Sequence, residues 1–574
     1  MNKNNNASRL HGGKKRFPVC AVSAVLASLA TSSGVQAFQV TEPGSDWNIR
    51  WDNTLSYNLG FRARDIAPKI GNNPTNNNSD YKFSDRGDVV TNRFALLTEM
   101  DATWQEKYGF RVSASAWNDF AYDNDVERNP NLPANFTGRT DGKYSSTTEK
   151  YYMRGGEILD AFVFTNFDVG SMPSSLRAGR QTVYWGGSLY HPNLGISYSQ
   201  GPIDGIKGGT SPGLTSKELF LPRNQVFYTT QLADELSLSA QYFLEFRPMR
   251  LPEGGTYLAT SDFLFKGPNQ LAGAGIPRGK DFEPDDRNDN FGVALQWSPQ
   301  ALRGSLGVYY RQFDEVMPWV ALFGRSPTSP APTNYHLSYA EKTKLIGLSL
   351  DKVYGSVSTA VDLSYRMDTA LNNATGPTAL DFLGKDGPRG DTWNLVANAS
   401  ISMKPTFLWD TGTVTAEVGY TRLEKVTERE DLYKGVGYVG CNGTSPTAVN
   451  AHDDATDGCS TRDQLSVVLA VTPQWFSVLP SVDLEMPIIL KQGLHGNAPG
   501  VGAASAGAAE DTTAFSVGLK ATAYRIHSLS VAYIGQRGKT GRKATGPAGE
   551  YTATGNQFQL NDRDWLSLTY QVSF

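Results

Sequence analysis

Histidines, serines and clustered acids are the raw material of hydrolytic and metal-dependent chemistry, and this chain of 574 residues arranges few of them suggestively. Its six histidines are His11 near the start, then His191, His336, His452, His495 and His527, scattered over stretches that read as loops and a turn. No Gly-x-Ser-x-Gly elbow precedes a helical pattern, so a hydrolase of that type has no support. Gly538-Lys539-Thr540 lacks the upstream glycine of a phosphate loop. Two acidic groups offer oxygens to calcium: Asp281, Glu283, Asp285, Asp286 and Asp289, and Asp453, Asp454 and Asp457. Neither has the twelve-residue spacing with a Gly at the sharp turn and a closing Glu, so both read as solvated loops. The expectation is a protein with no catalytic site, no metal and no cofactor.

The residues that do form a pattern are apolar ones. Phe574, Val572, Tyr570, Leu568 and Leu566 share one face of an extended C-terminal segment, and Ser573, Gln571, Thr569 and Ser567 share the other. An alternating last strand closed by Phe574 resembles the assembly signal of outer-membrane barrels. The same period of two runs through 46–62, where Trp47, Ile49, Trp51, Leu55, Tyr57, Leu59 and Phe61 share a face. It continues in strand pairs near 93–104 with 110–116, 157–169 with 175–185, 224–233 with 235–247, and 289–298 with 304–314. Further pairs are 342–352 with 356–367, 391–403 with 412–424, 462–472 with 477–490, and 512–524 with 526–536. With the first and last strands these make about 18, with 16 as the alternative count.

Connections inside each pair are short, such as Ala233-Asp234-Glu235. Those between pairs are long and rich in Gly, Pro, Asn and Asp, such as 63–90, 122–156, 186–223, 248–288, 315–341, 425–461 and 537–562. Strict alternation of short turns and long loops, with both termini on the short side, predicts an all-β fold: one large antiparallel transmembrane barrel with periplasmic turns and extracellular loops. Closure has a physical cause, because an unpaired backbone group in hydrocarbon costs several kcal/mol and only an edgeless sheet can cross. Aromatics near strand ends, Trp47, Trp51, Tyr57, Trp104, Trp117, Trp185, Trp297, Tyr309, Tyr310, Trp393, Trp409, Trp475 and Trp565, are expected in the interfacial girdles.

The N-terminal end completes the assignment. Lys3, Arg9, Lys14, Lys15 and Arg16 precede a small-residue apolar run from Phe17 to Ala30 and a Val35-Gln36-Ala37 site, the order of a secretory signal peptide over 1–37. The mature barrel is then 38–574. The formal charge moves from −4 to about −9 once those five cations leave, which disfavours nucleic acid as a partner. Cys441 and Cys459 flank a Gly, Asn, Asp and Thr segment and are expected to form a disulfide in an oxidising compartment.

Alternation also selects the residues facing the lumen. They are Arg50, Asp52, Arg62, Arg93, Glu99, Asp101 and Arg111 in the first third, and Glu245, Arg247, Arg311, Asp362, Arg366 and Glu417 beyond. Both signs are present, which fits either a hydrated channel with a transverse field or internal ion pairs that brace the wall. The loop 186–223, with eight glycines, is the candidate constriction, its apolar contacts being Leu194, Ile196, Tyr198, Ile203, Ile206, Leu214, Leu219 and Phe220.

Several stretches resemble one family. They include Leu176-Arg177-Ala178-Gly179-Arg180-Gln181 with Trp185-Gly186, Lys217-Glu218-Leu219-Phe220-Leu221-Pro222, Gly255-Thr256-Tyr257 with Ser261-Asp262-Phe263, Asn290-Phe291-Gly292-Val293-Ala294-Leu295, and Asn561-Asp562-Arg563-Asp564-Trp565. Their order and spacing are similar to the large proteobacterial outer-membrane proteins known as domain of unknown function thirteen-zero-two. The resemblance implies an outer-membrane location, in contact with lipid and lipopolysaccharide after insertion by the barrel-assembly machinery. It also implies a periplasmic lipoprotein-like partner and an inner-membrane exporter of hydrophobic compounds. The expected function is a channel for small hydrophobic or amphipathic compounds such as lipids, terpenoids or aromatics. The rivals are a structural or adhesive surface barrel with a plugged lumen, and an outer-membrane hydrolase.

Overall fold

The computed structural model describes residues 38–39, 44–72, 77–128, 142–211, 216–271, 276–325, 331–374, 380–381, 385–435, 459–504, 508–538 and 558–574. Segment 1–37, Leu214, Cys441 and the acids Asp453, Asp454 and Asp457 therefore lie outside the described residues.

Eighteen antiparallel strands close into one barrel. In chain order they are β1 (Trp47–Arg62), β2 (Val89–Trp104), β3 (Tyr108–Asp119), β4 (Arg154–Val169), β5 (Met172–Gln181) and β6 (Arg223–Ala233). Next come β7 (Leu236–Phe243), β8 (Phe291–Trp297), β9 (Gly304–Phe313), β10 (Thr343–Tyr354), β11 (Val357–Ala370) and β12 (Arg389–Ser402). The last six are β13 (Thr411–Glu428), β14 (Asp463–Leu479), β15 (Val482–Glu485 and Ile488–His495), β16 (Thr513–Ala523), β17 (His527–Arg537) and β18 (Trp565–Ser573). The seam joins β1 to β18 from Thr54↔Ser573 to Arg62↔Trp565. Phe574 completes it, its N–H donating to Asn53 O at 2.9 Å while Asn53 N–H donates to Phe574 O at 2.7 Å.

The wall is apolar outside and mixed inside. Across β8, β9 and β10 the outward rows Val293↔Tyr310↔Ile346 and Leu295↔Val308↔Leu348 are exposed. The inward row Gly292↔Arg311↔Leu345 has its arginine and leucine wholly buried. One residue of slip would exchange these faces, so the pattern fixes the register. Short turns need little chain, and Gly170 and Gly355 adopt φ of 66° and 61° in them, a left-handed backbone that glycine enters without steric cost.

Two expectations need correction. The hairpin turn expected between 472 and 477 lies instead at Pro480-Ser481. Pro473 does not end its strand: the ladder lapses opposite Met486-Pro487 and resumes in the same register, Val471↔Ile488 and then Gln474↔Glu485. The missing proline N–H is thus absorbed where the facing strand also breaks. Trp117, Trp185, Tyr309 and Trp565 are not girdle residues, since each is buried on the lumen side. Alternation fixes parity but cannot reveal that loops return to cover the inward face near a strand's end. Trp47, Trp51, Trp297 and Trp393 are exposed on the outside, as girdle residues should be.

The loop end of the barrel is filled by its own long connections. They include a small sheet of Trp319–Arg325, Pro332–Ser338 and Leu380–Asp381, and a cluster of Phe83, Tyr122, Tyr144, Tyr152 and Tyr257 that packs with Trp565 of β18.

Candidate functional site

Residues 182–211 and 216–222 of the connection from β5 to β6 turn into the lumen. An irregular backbone inside a barrel must find partners for its N–H and C=O groups, and charged wall residues provide them. On β13, Glu417 accepts from the N–H groups of Leu189, Tyr190 and His191 at 2.6, 2.6 and 2.7 Å. On β11, Asp362 accepts from Gly187 N–H at 3.0 Å. A few residues on, the polarity of the wall reverses. Arg311 donates to Ile196 O and Tyr198 O at 2.7 and 2.6 Å, Arg366 to Gly195 O at 3.0 Å, and Arg223 to Ser199 O at 2.9 Å. Carboxylates thus take N–H groups of the inner backbone and guanidiniums take its carbonyls.

Packing reinforces this. Leu194, Ile196 and Tyr198 are buried against the wall, and the Arg366 guanidinium lies 4.4 Å from the Tyr198 ring centroid. Gly419 makes room on β13, where an added Cβ would stand 2.8 Å from both His191 Cδ2 and Leu194 Cδ1. Ile206 is buried, Ile203, Leu219 and Phe220 are half-buried, and Phe220 packs on Tyr184 with ring centroids 5.6 Å apart.

His191 sits at the centre of this anchorage. Its Nδ1 is 2.9 Å from Glu417 Oε1 and its Nε2 is 2.9 Å from Ser466 Oγ. An ionised carboxylate only accepts, so Nδ1 carries the proton and Nε2 accepts from the serine. Burial holds the imidazole below its ordinary pKa, with the Glu417 bond pulling the other way. Serine, histidine and acid in this order form the hydrogen-bonded chain of an acyl-transfer triad. All three are wholly buried, however, and the backbone of Ala508–Ala509 crowds Gly493, the residue paired with Ser466 on the next strand. Glu417 is moreover committed to three loop amides, so the triad works here as a tie between loop and wall.

A second anchor joins Glu157 of β4 to Lys207 Nζ at 2.7 Å, Arg250 Nη2 at 2.7 Å and Arg247 Nη2 at 3.1 Å, and Arg250 also reaches Asp204 at 2.7 Å. Arg93 donates to Tyr151 O at 3.2 Å and lies over Trp117. Arg62 pairs with Asp80 at 2.9 Å and donates to Phe83 O at 2.6 Å. Arg180 meets Glu245 at 2.9 Å. Arg111 bridges Glu99, Asp101 and Asp160, the last two at 3.2 and 3.3 Å, while Arg50 and Asp52 pair at 2.9 Å in an exposed position.

Among the described residues two sizeable spaces border these elements. A mid-lumen cavity of about 520 Å³ is lined by Phe162, Tyr184, Leu189 and Phe220 together with Arg111, Asp160 and Arg177. A chamber of about 620 Å³ at the loop end is lined by Leu251, Leu258, Leu264, Phe265 and Met317 of the long connections together with Lys491, Ala514 and Gln536 of the wall. Among the described residues no group of three or more His, Cys, Asp and Glu side chains is placed to hold a metal. Asp281 instead pairs with Arg278 at 2.7 Å, and Glu283 with Lys266.

Glu157, Ser466 and the role of His191 escaped the sequence pattern. Glu157 and Ser466 face inward by parity and were available to it, whereas nothing local distinguishes His191 from the other loop histidines. Cys459 is buried, and its expected partner Cys441 is outside the described residues.

The family described as protein of unknown function (DUF1302) matches residues 19–574. No curated protein matches the chain. Similar solved structures include OccAB1 of Acinetobacter baumannii, 9% identical, covering 94% of this chain and 99% of that one with a TM-score of 0.42. A BenF-like porin from Pseudomonas fluorescens Pf-5 is 10% identical, covering 92% and 98% with a TM-score of 0.38. OpdK of Pseudomonas aeruginosa, solved with vanillate, is 9% identical, covering 91% and 98% with a TM-score of 0.37. These scores are low, and the barrel described above rests on this chain's own strand pairing.

Proposed function

We propose a transport role for this chain, which belongs to the DUF1302 family of proteins of unknown function. The chain is an outer-membrane channel that passes small hydrophobic or amphipathic compounds without transforming them. The observation that carries the reading is the inner loop, described over residues 182–211 and 216–222, which narrows the lumen and leaves a cavity beside it. It is tied to the wall by buried charges and still presents Tyr184, Leu189 and Phe220 to an open cavity. Apolar side chains bordering a hydrated space provide a passenger with contacts it lacks in water. The outward band of Leu, Val and Ile supports a membrane location.

Purified protein in planar bilayers is expected to show discrete conductance steps and to admit a lipophilic dye into liposomes. A folded barrel that neither conducts nor admits the dye refutes the reading.

The Ser466–His191–Glu417 chain is the specific observation in favour of a hydrolase. A fluorophosphonate probe is expected to leave Ser466 unlabelled, because its hydroxyl is wholly buried. Labelling of Ser466 would favour the hydrolase.

A further inference from the structure

We propose that a groove on the outer wall, at the end of the short turns, is a binding site for one phospholipid whose headgroup carries an ammonium charge. The inference goes beyond the channel reading and does not depend on whether the barrel conducts.

The groove encloses about 930 Å³. Two outward rows of the ladder floor it: Leu236↔Trp297↔Leu306 next to the turns, and Leu295↔Val308↔Leu348 one step further from them. Trp297, Leu295, Val308 and Leu348 are exposed. The rows run across β7, β8, β9 and β10, and at about 4.8 Å between neighbouring strands they are roughly 14 Å wide. That is room for two acyl chains side by side. The outside of a membrane barrel meets hydrocarbon, so the occupant that suits this face is a lipid.

The other end of the groove is polar and acidic. The turn between β6 and β7 contributes Asp234 and Glu235, and the turn between β8 and β9 contributes Gln300. The two turns are tied together, Ser298 N–H donating to Glu235 O at 2.8 Å and Gln300 N–H to Glu235 Oε1 at 3.0 Å. This fixes the Glu235 carboxylate beside the apolar rows. Among the described residues neither Asp234 nor Glu235 has a cationic partner. The lining contains no Lys or Arg, and Arg303 and Lys352, at the same end of the barrel, lie outside it. An ammonium with N–H groups finds two negative acceptors here, whereas a headgroup whose only charge is negative is repelled. Trp297 suits the boundary between the two zones, with an apolar ring and an indole N–H that can donate to a lipid oxygen.

The test is native mass spectrometry of the full barrel in detergent micelles, titrated with dioleoylphosphatidylethanolamine or dioleoylphosphatidylglycerol and read as the affinity for the first lipid bound. The ethanolamine lipid is expected to bind about fivefold more tightly, a ratio within reach of exposed charges. The double variant Asp234→Asn with Glu235→Gln is expected to abolish the ratio. Leu306→Trp, which fills the groove, is expected to weaken both lipids about equally. Should the double variant fail to fold, Asp234→Glu with Glu235→Asp keeps both charges and must keep the ratio. Equal binding of the two lipids by the unaltered barrel, a ratio that survives in the folded double variant, or lipid binding untouched by Leu306→Trp overturns the proposal. A barrel that conducts without preferring the ethanolamine lipid overturns this inference and leaves the channel standing. One that prefers it yet never conducts supports the site and overturns the channel.

Discussion

Replacing Glu417 by Gln should release the inner loop while leaving the barrel closed. The carboxylate accepts three loop N–H groups at 2.6 to 2.7 Å and His191 Nδ1 at 2.9 Å, all in a site with no exposure. Hydrogen bonds to a charged group contribute about 1.5–3 kcal/mol each, against about 1 for neutral ones. Glutamine keeps one oxygen, but its amide nitrogen points hydrogens at donors that need an acceptor. Disrupting a buried charged network by removing one partner costs roughly 3–5 kcal/mol. At the lower figure the population of detached loop rises on the order of a hundredfold. The strand ladders do not depend on this side chain, so heat-modifiable gel mobility should be unchanged. Hydrogen exchange is the direct assay: amides of Leu189, Tyr190 and His191 should lose protection in Glu417→Gln, while those of β12 and β14 keep theirs. Single-channel recordings should show larger and noisier steps. Unaltered protection at 189–191 would refute the claim that Glu417 holds the loop.

Four further outcomes are expected. Burial pushes Glu253, in the connection after β7, up to about 7 from an ordinary 4.5, so the folded loop binds a proton that the unfolded loop releases. Its contribution is therefore complete below about pH 4.5 and lost as pH rises through about 7, a change of roughly 3 kcal/mol. Protection factors of the Lys266 and Gly267 amides, which donate to Glu253 at 2.7 and 2.6 Å, should fall over that window and become flat with pH in Glu253→Gln. Leu348→Arg places a charge on the exposed outer face midway along β10 and should destabilise the barrel in liposomes by about 2–4 kcal/mol in urea titrations; no loss would contradict a lipid-facing wall. Deleting Phe574 removes both backbone bonds to Asn53 at the seam and should lower the yield of heat-modifiable barrel; an unchanged yield would deny it an assembly role. Without reductant neither Cys441 nor Cys459 should take up iodoacetamide, and labelling of both would exclude their disulfide.

The architecture was legible in the sequence because a lipid-facing barrel writes itself in period two. Each strand crosses once, outward residues must be apolar and inward ones are free to be polar, so alternation and the spacing of turns give strand number and register together. Parity also picked out Arg62, Arg311, Asp362, Arg366 and Glu417 as inward residues. Their use was not legible. Composition allowed ion pairs across the wall or charges facing water, but Glu417, Arg311 and Arg366 are spent mainly on the backbone of an inserted loop. The Ser466–His191–Glu417 tie likewise joins segments 226 and 275 residues apart in the chain. Such contacts depend on where a long, glycine-rich connection comes to rest, and no periodicity along the chain encodes that. The sequence alone determined the closed wall and its two faces. Only the tertiary structure decided how the long loops return into the lumen and which spaces they leave open, because their course is set by partners distant in the chain.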